Sequence, residues 1–316
     1  MPLLRSKRHC RLPVAVACAV LAAVSFSSIA WAAAPDSNAA DGSSTRKHPV
    51  LNHLRPAYKL AERSEATKAA AAAPVLAPGQ ANEHPLMPVL RWAYSGMSNI
   101  EKIQDYSATL VKRERIGGKL LDRQYMFVKL RQKPFSVYMY FLAPAELKGQ
   151  EVIYVEGQNN GKMWAHGVGI QAAIGTVSLK PDGIVAMKDQ RYPLTELGIL
   201  NMTRRLVEVG EDNKRFGECE VKFYEGAKIN NGRVGRVCTM IEVVHPVPRR
   251  NFVFHIARIF VDNELNLPIR YESFDWPKEA GGTPELMEEY TYCNLKLNNG
   301  FTDADFSTKN PNYKFR

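Results

Sequence analysis

Little in this chain of 316 residues announces chemistry. It has no G-x-S-x-G elbow and no glycine loop of the kind that cradles phosphate, which leaves the common hydrolase and nucleotide-binding classes without support. None of His166, His245 and His255 has a second histidine or a carboxylate at ligand spacing, so no metal site is expected, and no cofactor. Strand patterns do not alternate with helical ones in the βαβ manner, and no internal repeat stands out. Cysteine is scarce, at five residues, and two of those, Cys10 and Cys18, lie near the start. Only one long apolar run occurs, at 12–29.

That run follows Arg5, Lys7, Arg8 and Arg11 and ends at Ala30-Trp31-Ala32. A positive segment, an apolar segment and a small-residue site together predict a secretion signal over 1–32, cleaved after Ala32 or Ala34. The expected location is therefore the periplasm or cell envelope. Removing four basic residues takes the net charge from +10 to +6. Such a modest, diffuse excess suits a protein beside anionic head groups and does not point to nucleic acid.

Residues 33–83 are rich in Ala, Ser and Pro without apolar periodicity, which reads as a disordered linker. One domain is expected over 84–316. Leu86, Leu90, Ala93, Met97 and Ile100 repeat at helical spacing, and Ile199, Met202, Leu206 and Val209 form a second stripe. Almost everything else alternates with period two, between turn residues such as Gly117-Gly118, Lys133-Pro134 and Asn159-Asn160-Gly161. The fold class is mainly β (α+β): a strongly curved antiparallel half-barrel of about ten strands, with helices covering the concave face.

In 135–142 one face carries Phe135, Val137, Met139 and Phe141, and the other Tyr138, Tyr140 and Leu142. Apolar character on both faces fits a sheet that lines a cavity or is covered on both sides. Cys219 and Cys238 flank a turn placed at 227–232. Folding a hairpin about Lys228 and Ile229 sets the two roughly opposite each other, which predicts a disulfide. Cys293 alternates with Thr291, Leu295 and Leu297 and is expected as a buried thiol.

Several connecting residues resemble the periplasmic lipoprotein carrier LolA and its relatives. They are the Lys133-Pro134 turn, Pro144, Val152-Ile153-Tyr154, Asn160-Gly161-Lys162, Met163-Trp164, 262–270 and Thr302-Asp303-Ala304-Asp305-Phe306. Residues 84–316 also resemble an uncharacterised family of exported bacterial proteins, through Lys112-Arg113-Glu114, Arg191-Tyr192-Pro193 and Phe274-Asp275-Trp276-Pro277. The carrier resemblance implies an incomplete barrel with helices as a lid over an apolar cavity. It also implies a lipid or lipid-like ligand, with envelope proteins or the membrane surface as further partners. Where the carriers have an arginine before the strand-breaking proline, this chain has Lys133, with Arg131 two residues earlier.

The residues assigned to the cavity or its mouth on this reading are Arg113, Arg131, Lys133, Tyr138, Tyr140, Trp164 and His166. Alternation sends Lys112 and Glu114 to one side of their strand and Arg113 and Arg115 to the other. Read functionally, that charge run is an anion clamp; read structurally, it is a solvated strand end. Glu272, Asp275, Glu288 and Glu289 are the carboxylates expected to pair with Arg270 on adjacent strands. No residue is assigned as catalytic. The competing functions are an envelope scaffold binding a protein or glycan, and an enzyme on a lipid or glycan using His166 and Glu272.

Overall fold

The computed structural model describes residues 82–231 and 234–315. The expected signal and nearly all of the expected linker lie outside them. Twelve strands form one sheet: β1 (Asp105–Ile116), β2 (Lys119–Leu120), β3 (Gln124–Arg131), β4 (Ser136–Ala143), β5 (Glu151–Val155), β6 (Met163–His166), β7 (Thr176–Leu179), β8 (Glu220–Asn231), β9 (Val234–Val244), β10 (Ile256–Asp262), β11 (Pro268–Asp275) and β12 (Glu285–Leu297). The spatial order is β7-β6-β5-β4-β3-β1-β12-β11-β10-β9-β8, with β2 a short addition to β1. Every pairing is antiparallel, and the path has two free edges, so the sheet is an open half-barrel.

Two meanders build it. The first runs outward from β1 to the β7 edge, and the second starts at the opposite edge and returns to β1 through β12. Turn chemistry explains the local steps. Gly117 and Gly118 sit at φ +56° and +81°, which a β-carbon would strain, between β1 and β2. Asp262 folds the β10–β11 turn: its Oδ1 accepts from the backbone N–H of Glu264 and Leu265, both 2.9 Å away, and Arg236 pairs with the same carboxylate.

Joining the meanders forces the chain from one edge of the sheet to the other. It does so through residues 180–198 and helix α2 (Ile199–Asn213), which lies on the same face as helix α1 (Met87–Ile100). The α1 stripe Leu86, Val89, Leu90 and Ala93 packs with Val207 of α2 against Ile241, Val243, Ala257 and Ile259. A close approach fixes the start of α2. Gly198 has φ +119°, a β-carbon there would meet Leu130 at 2.8 Å, and the Ile199 N–H donates to the Tyr106 hydroxyl at 2.9 Å.

The other face is also covered. Phe127, Tyr138, Ile153 and Val155 pack under Phe306, Tyr313 and Phe315 of the C-terminal segment, and Tyr138 stacks on Tyr313 with centroids 3.9 Å apart. Lys129, 2% exposed, sits beneath that segment, donates to Asp305 at 2.7 Å and faces the Phe301 ring at 5.0 Å. Asp105 holds the segment's start by accepting from the backbone N–H groups of Gly300 and Phe301, each at 3.0 Å.

The strand count is twelve where about ten were expected, because β2 and β6 each stand as separate strands. One expectation needs correction. The Cys219–Cys238 disulfide is not formed: both thiols are free and buried, like Cys293. The β8–β9 ladder runs through most of the turn placed at 227–232, as far as Asn231 opposite Val234. With a register shift between Tyr224 and Ala227, Cys238 faces Ala227, while Cys219 precedes Glu220, which pairs with Val244. Six residues of strand separate the two levels, far beyond the reach of a disulfide.

Candidate functional site

A cavity of about 960 Å³ lies on the concave face. Its wall is built from the inward side chains of strands β1 and β3–β7: Leu110, Met126, Met139, Phe141, Val152 and Met163. Residues 185–198 and α2, which carry the chain between the edges, roof it. Leu and Phe give it an apolar surface, and its four methionines, Met126, Met139, Met163 and Met202, adapt to irregular shapes.

At one end the apolar wall gives way to a buried polar cluster. On β1 the inward alternation that carries Tyr106, Ala108 and Leu110 continues into Lys112 and Glu114, and on β12 the partner positions are Tyr290 and Glu288. Lys112 Nζ lies 3.2 Å from Glu114 and also donates to Gln190 Oε1. The Tyr290 hydroxyl donates to Glu114 at 2.5 Å and lies 3.2 Å from Glu288. From the roof, Arg191 Nε reaches Glu288 at 3.1 Å, and its backbone N–H donates to Glu114 at 3.2 Å. Tyr192 and Ser273 donate to Glu288 at 3.4 and 3.1 Å. Two buried carboxylates are thus matched by two cations, and the roof is tied to the sheet through them.

Burial sets the electrostatics. It pushes the Glu288 carboxyl above its usual range, against the pull of Arg191 and three hydroxyls. It pushes the Lys112 ammonium down, against the pull of Glu114. The Tyr192 hydroxyl rises to about 12, from burial first and the Glu288 charge second, and Tyr290 rises further for the same reasons.

The residues assigned from the sequence lie elsewhere. None of Arg113, Arg131, Lys133, Tyr138, Tyr140, Trp164 and His166 is among the described residues lining the cavity. Tyr138, Tyr140 and Trp164 belong to the opposite face, under or beside the C-terminal segment. Arg131 pairs there with Asp303 at 2.8 Å, and its guanidinium lies over the Phe306 ring. Lys133 is exposed, Arg113 donates to the Leu121 carbonyl at 2.9 Å, and half-buried His166 pairs across strands with Glu151 and Thr176. The physical reason is the double cover: both faces of β4 are apolar, and the face with more tyrosine serves the C-terminal segment.

Arg270 does pair with Glu272 and Glu289, at 2.6 and 3.0 Å, on the outer face, joined by Arg258 and Glu242 into a cross-strand charge row. Glu288 leaves that group for the cavity. The polar cluster was therefore missed, although its parts were visible as Lys112-Arg113-Glu114 and Arg191-Tyr192-Pro193. The signal was the break in apolar alternation at Lys112 and Glu114, on a face otherwise bound for the core. Among the described residues, no group of three or more His, Cys, Asp or Glu could hold a metal ion.

An open antiparallel half-barrel, roofed by its own crossover and enclosing one large cavity, is the class that fold and site define. The chain belongs to the family described as protein of unknown function (DUF1571), which matches residues 103–315. No curated protein matches it. Among solved structures it is similar to the Mycobacterium tuberculosis lipoprotein LppX, at 11% identity over 68% of this chain and 98% of that one, with a TM-score of 0.37. It is also similar to a putative outer membrane lipoprotein-sorting protein domain from Vibrio parahaemolyticus (11% identity, 69% and 95% covered, TM-score 0.33). A DUF1329 family protein from Desulfovibrio piger is a third (13% identity, 71% and 98% covered, TM-score 0.34).

Proposed function

We propose that the protein is an exported, non-catalytic binding protein or carrier for a lipid or lipid-like ligand, housed on the concave face of the half-barrel. One observation carries this reading: a cavity of about 960 Å³, walled by Leu110, Met126, Met139, Phe141 and Val152, within a sheet that otherwise packs tightly on both faces. Protein interiors do not keep such volumes empty without use, and a concave apolar wall with few polar groups is how a fold shields an acyl chain. The leader at 1–32 supports export, and the segment at 33–83 would serve as a tether between the envelope and the folded part.

Native mass spectrometry of protein purified gently from the periplasm tests the proposal. The expected result is an adduct in the mass range of a single acyl lipid, and uptake of a fluorescent fatty acid by delipidated protein. Recovery of apo protein alone, with no uptake, overturns it.

A further inference from the structure

We infer that the ligand's head group is uncharged and hydrogen-bonding, a hydroxyl- or amide-bearing group seated against Gln124 beside the buried ionic cluster. This rests on the cavity being the ligand site, and it concerns which lipids that site accepts.

The first argument is charge balance. Lys112 and Arg191 are the cations of the buried cluster, and each already pairs with a buried carboxylate, Glu114 and Glu288, at 3.2 and 3.1 Å. An anionic head group entering there would have to displace a glutamate from its cation. That would leave a buried carboxylate unpaired, at a cost no single new ion pair restores. A cationic head group meets the mirror problem with Lys112 and Arg191.

The second argument is an unmet hydrogen bond. Gln124 lies opposite Lys112 in the β1–β3 register and lines the cavity. Its Oε1 is buried without a hydrogen-bond partner among the described residues. Buried amide oxygens are nearly always satisfied, so an orphan on a side chain that lines the cavity marks a place for a donor on the occupant. Two residues further along the strand, Met126 continues the apolar wall, so an acyl chain can run away from the head. Two further neutral amides, Gln150 and Gln171, also line the wall. A ligand with a hydroxyl or amide N–H at Gln124 and its chain along Leu110, Met126 and Met139 satisfies both observations.

The test uses three probes that share one oleoyl chain and differ in the head: monooleoylglycerol, oleate and oleoyl lysophosphatidylglycerol. Each displaces N-phenylnaphthylamine from the delipidated full-length protein near neutral pH. Monooleoylglycerol should bind roughly tenfold more tightly than either anionic probe, the worth of one buried hydrogen bond. Gln124→Met, which keeps the side-chain length and removes the amide, should abolish that preference while retaining oleate affinity. Equal binding of all three, or preference for an anionic head, overturns the head-group inference and leaves the cavity reading standing. Binding of none removes the cavity reading and this one with it. If Gln124→Met does not fold, the ranking of the three probes on the unaltered protein still decides.

Discussion

Replacing Arg191 by leucine strips the roof of its charged tie and strands Glu288. In the structure Glu288 is 4% exposed and keeps Arg191 Nε at 3.1 Å, with three hydroxyls as its other partners. Breaking a fully buried pair by removing one partner costs about 3–5 kcal/mol. The Arg191 side chain is 26% exposed, so solvent screens part of the interaction, and about 2 kcal/mol is expected. With a urea m-value of about 2 kcal/mol/M, the unfolding midpoint should fall by about 1 M. The sign of the pH dependence follows from Glu288. Burial already raises its folded pKa, and losing the guanidinium raises it again. The penalty is therefore complete only where Glu288 is ionised in both proteins, and it shrinks as pH falls and the stranded carboxyl takes up a proton in the variant. Urea unfolding of both proteins at about pH 8 and about pH 5 measures this, with hydrogen exchange across 181–198 as the local readout. A deficit of the same size at both pH values would refute the electrostatic tie and leave Arg191 as packing alone.

Asp305→Ala should cost about 3 kcal/mol in chemical denaturation, because it strands buried Lys129 and removes the acceptor of the Thr302 backbone N–H. Adding Lys129→Met should restore at least about 1 kcal/mol, and strict additivity of the two changes would sink the clamp. Labelling of exported protein in denaturant without reductant should find Cys219, Cys238 and Cys293 all reactive, whereas the native protein should react slowly, since burial pushes Cys219 up to about 12 and Cys238 up to about 11. A single labelled cysteine would instead support the bonded pair. His245 is fully buried and burial holds it below its usual pKa, so the unfolded chain takes up its proton first. Its contribution to stability should be complete above about pH 6.5 and decline as pH falls from there, and a His245→Gln variant should show a flatter melting-temperature profile between about pH 5 and pH 7.

Local signals carried much of the architecture. The stripe from Leu86 to Ile100 and the stripe from Ile199 to Val209 became the two helices, because an apolar face every third or fourth residue has no other use. Gly117-Gly118 and Asn159-Asn160-Gly161 stand at positive φ where turns were read, since few other residues enter that region without strain. All of these are decided within a few residues of the chain, where sterics and burial act directly.

What the tertiary structure decided depends on residues far apart in sequence. Pairing of β1 with β12 joins Tyr106 to Leu297, and it is this contact that turns two meanders into one half-barrel and brings Glu288 and Tyr290 beside Lys112 and Glu114. Alternation separated Lys112 from Arg113 correctly, but could not say which side faced the cavity, because the C-terminal segment makes the outer face of β4 as apolar as the inner one. The β8–β9 register was hidden for a similar reason. An irregularity between Tyr224 and Ala227 shifts the pairing, and turn residues alone do not encode it. Period-two patterning determines that two faces exist; which one becomes the site is settled by what the rest of the chain lays across each.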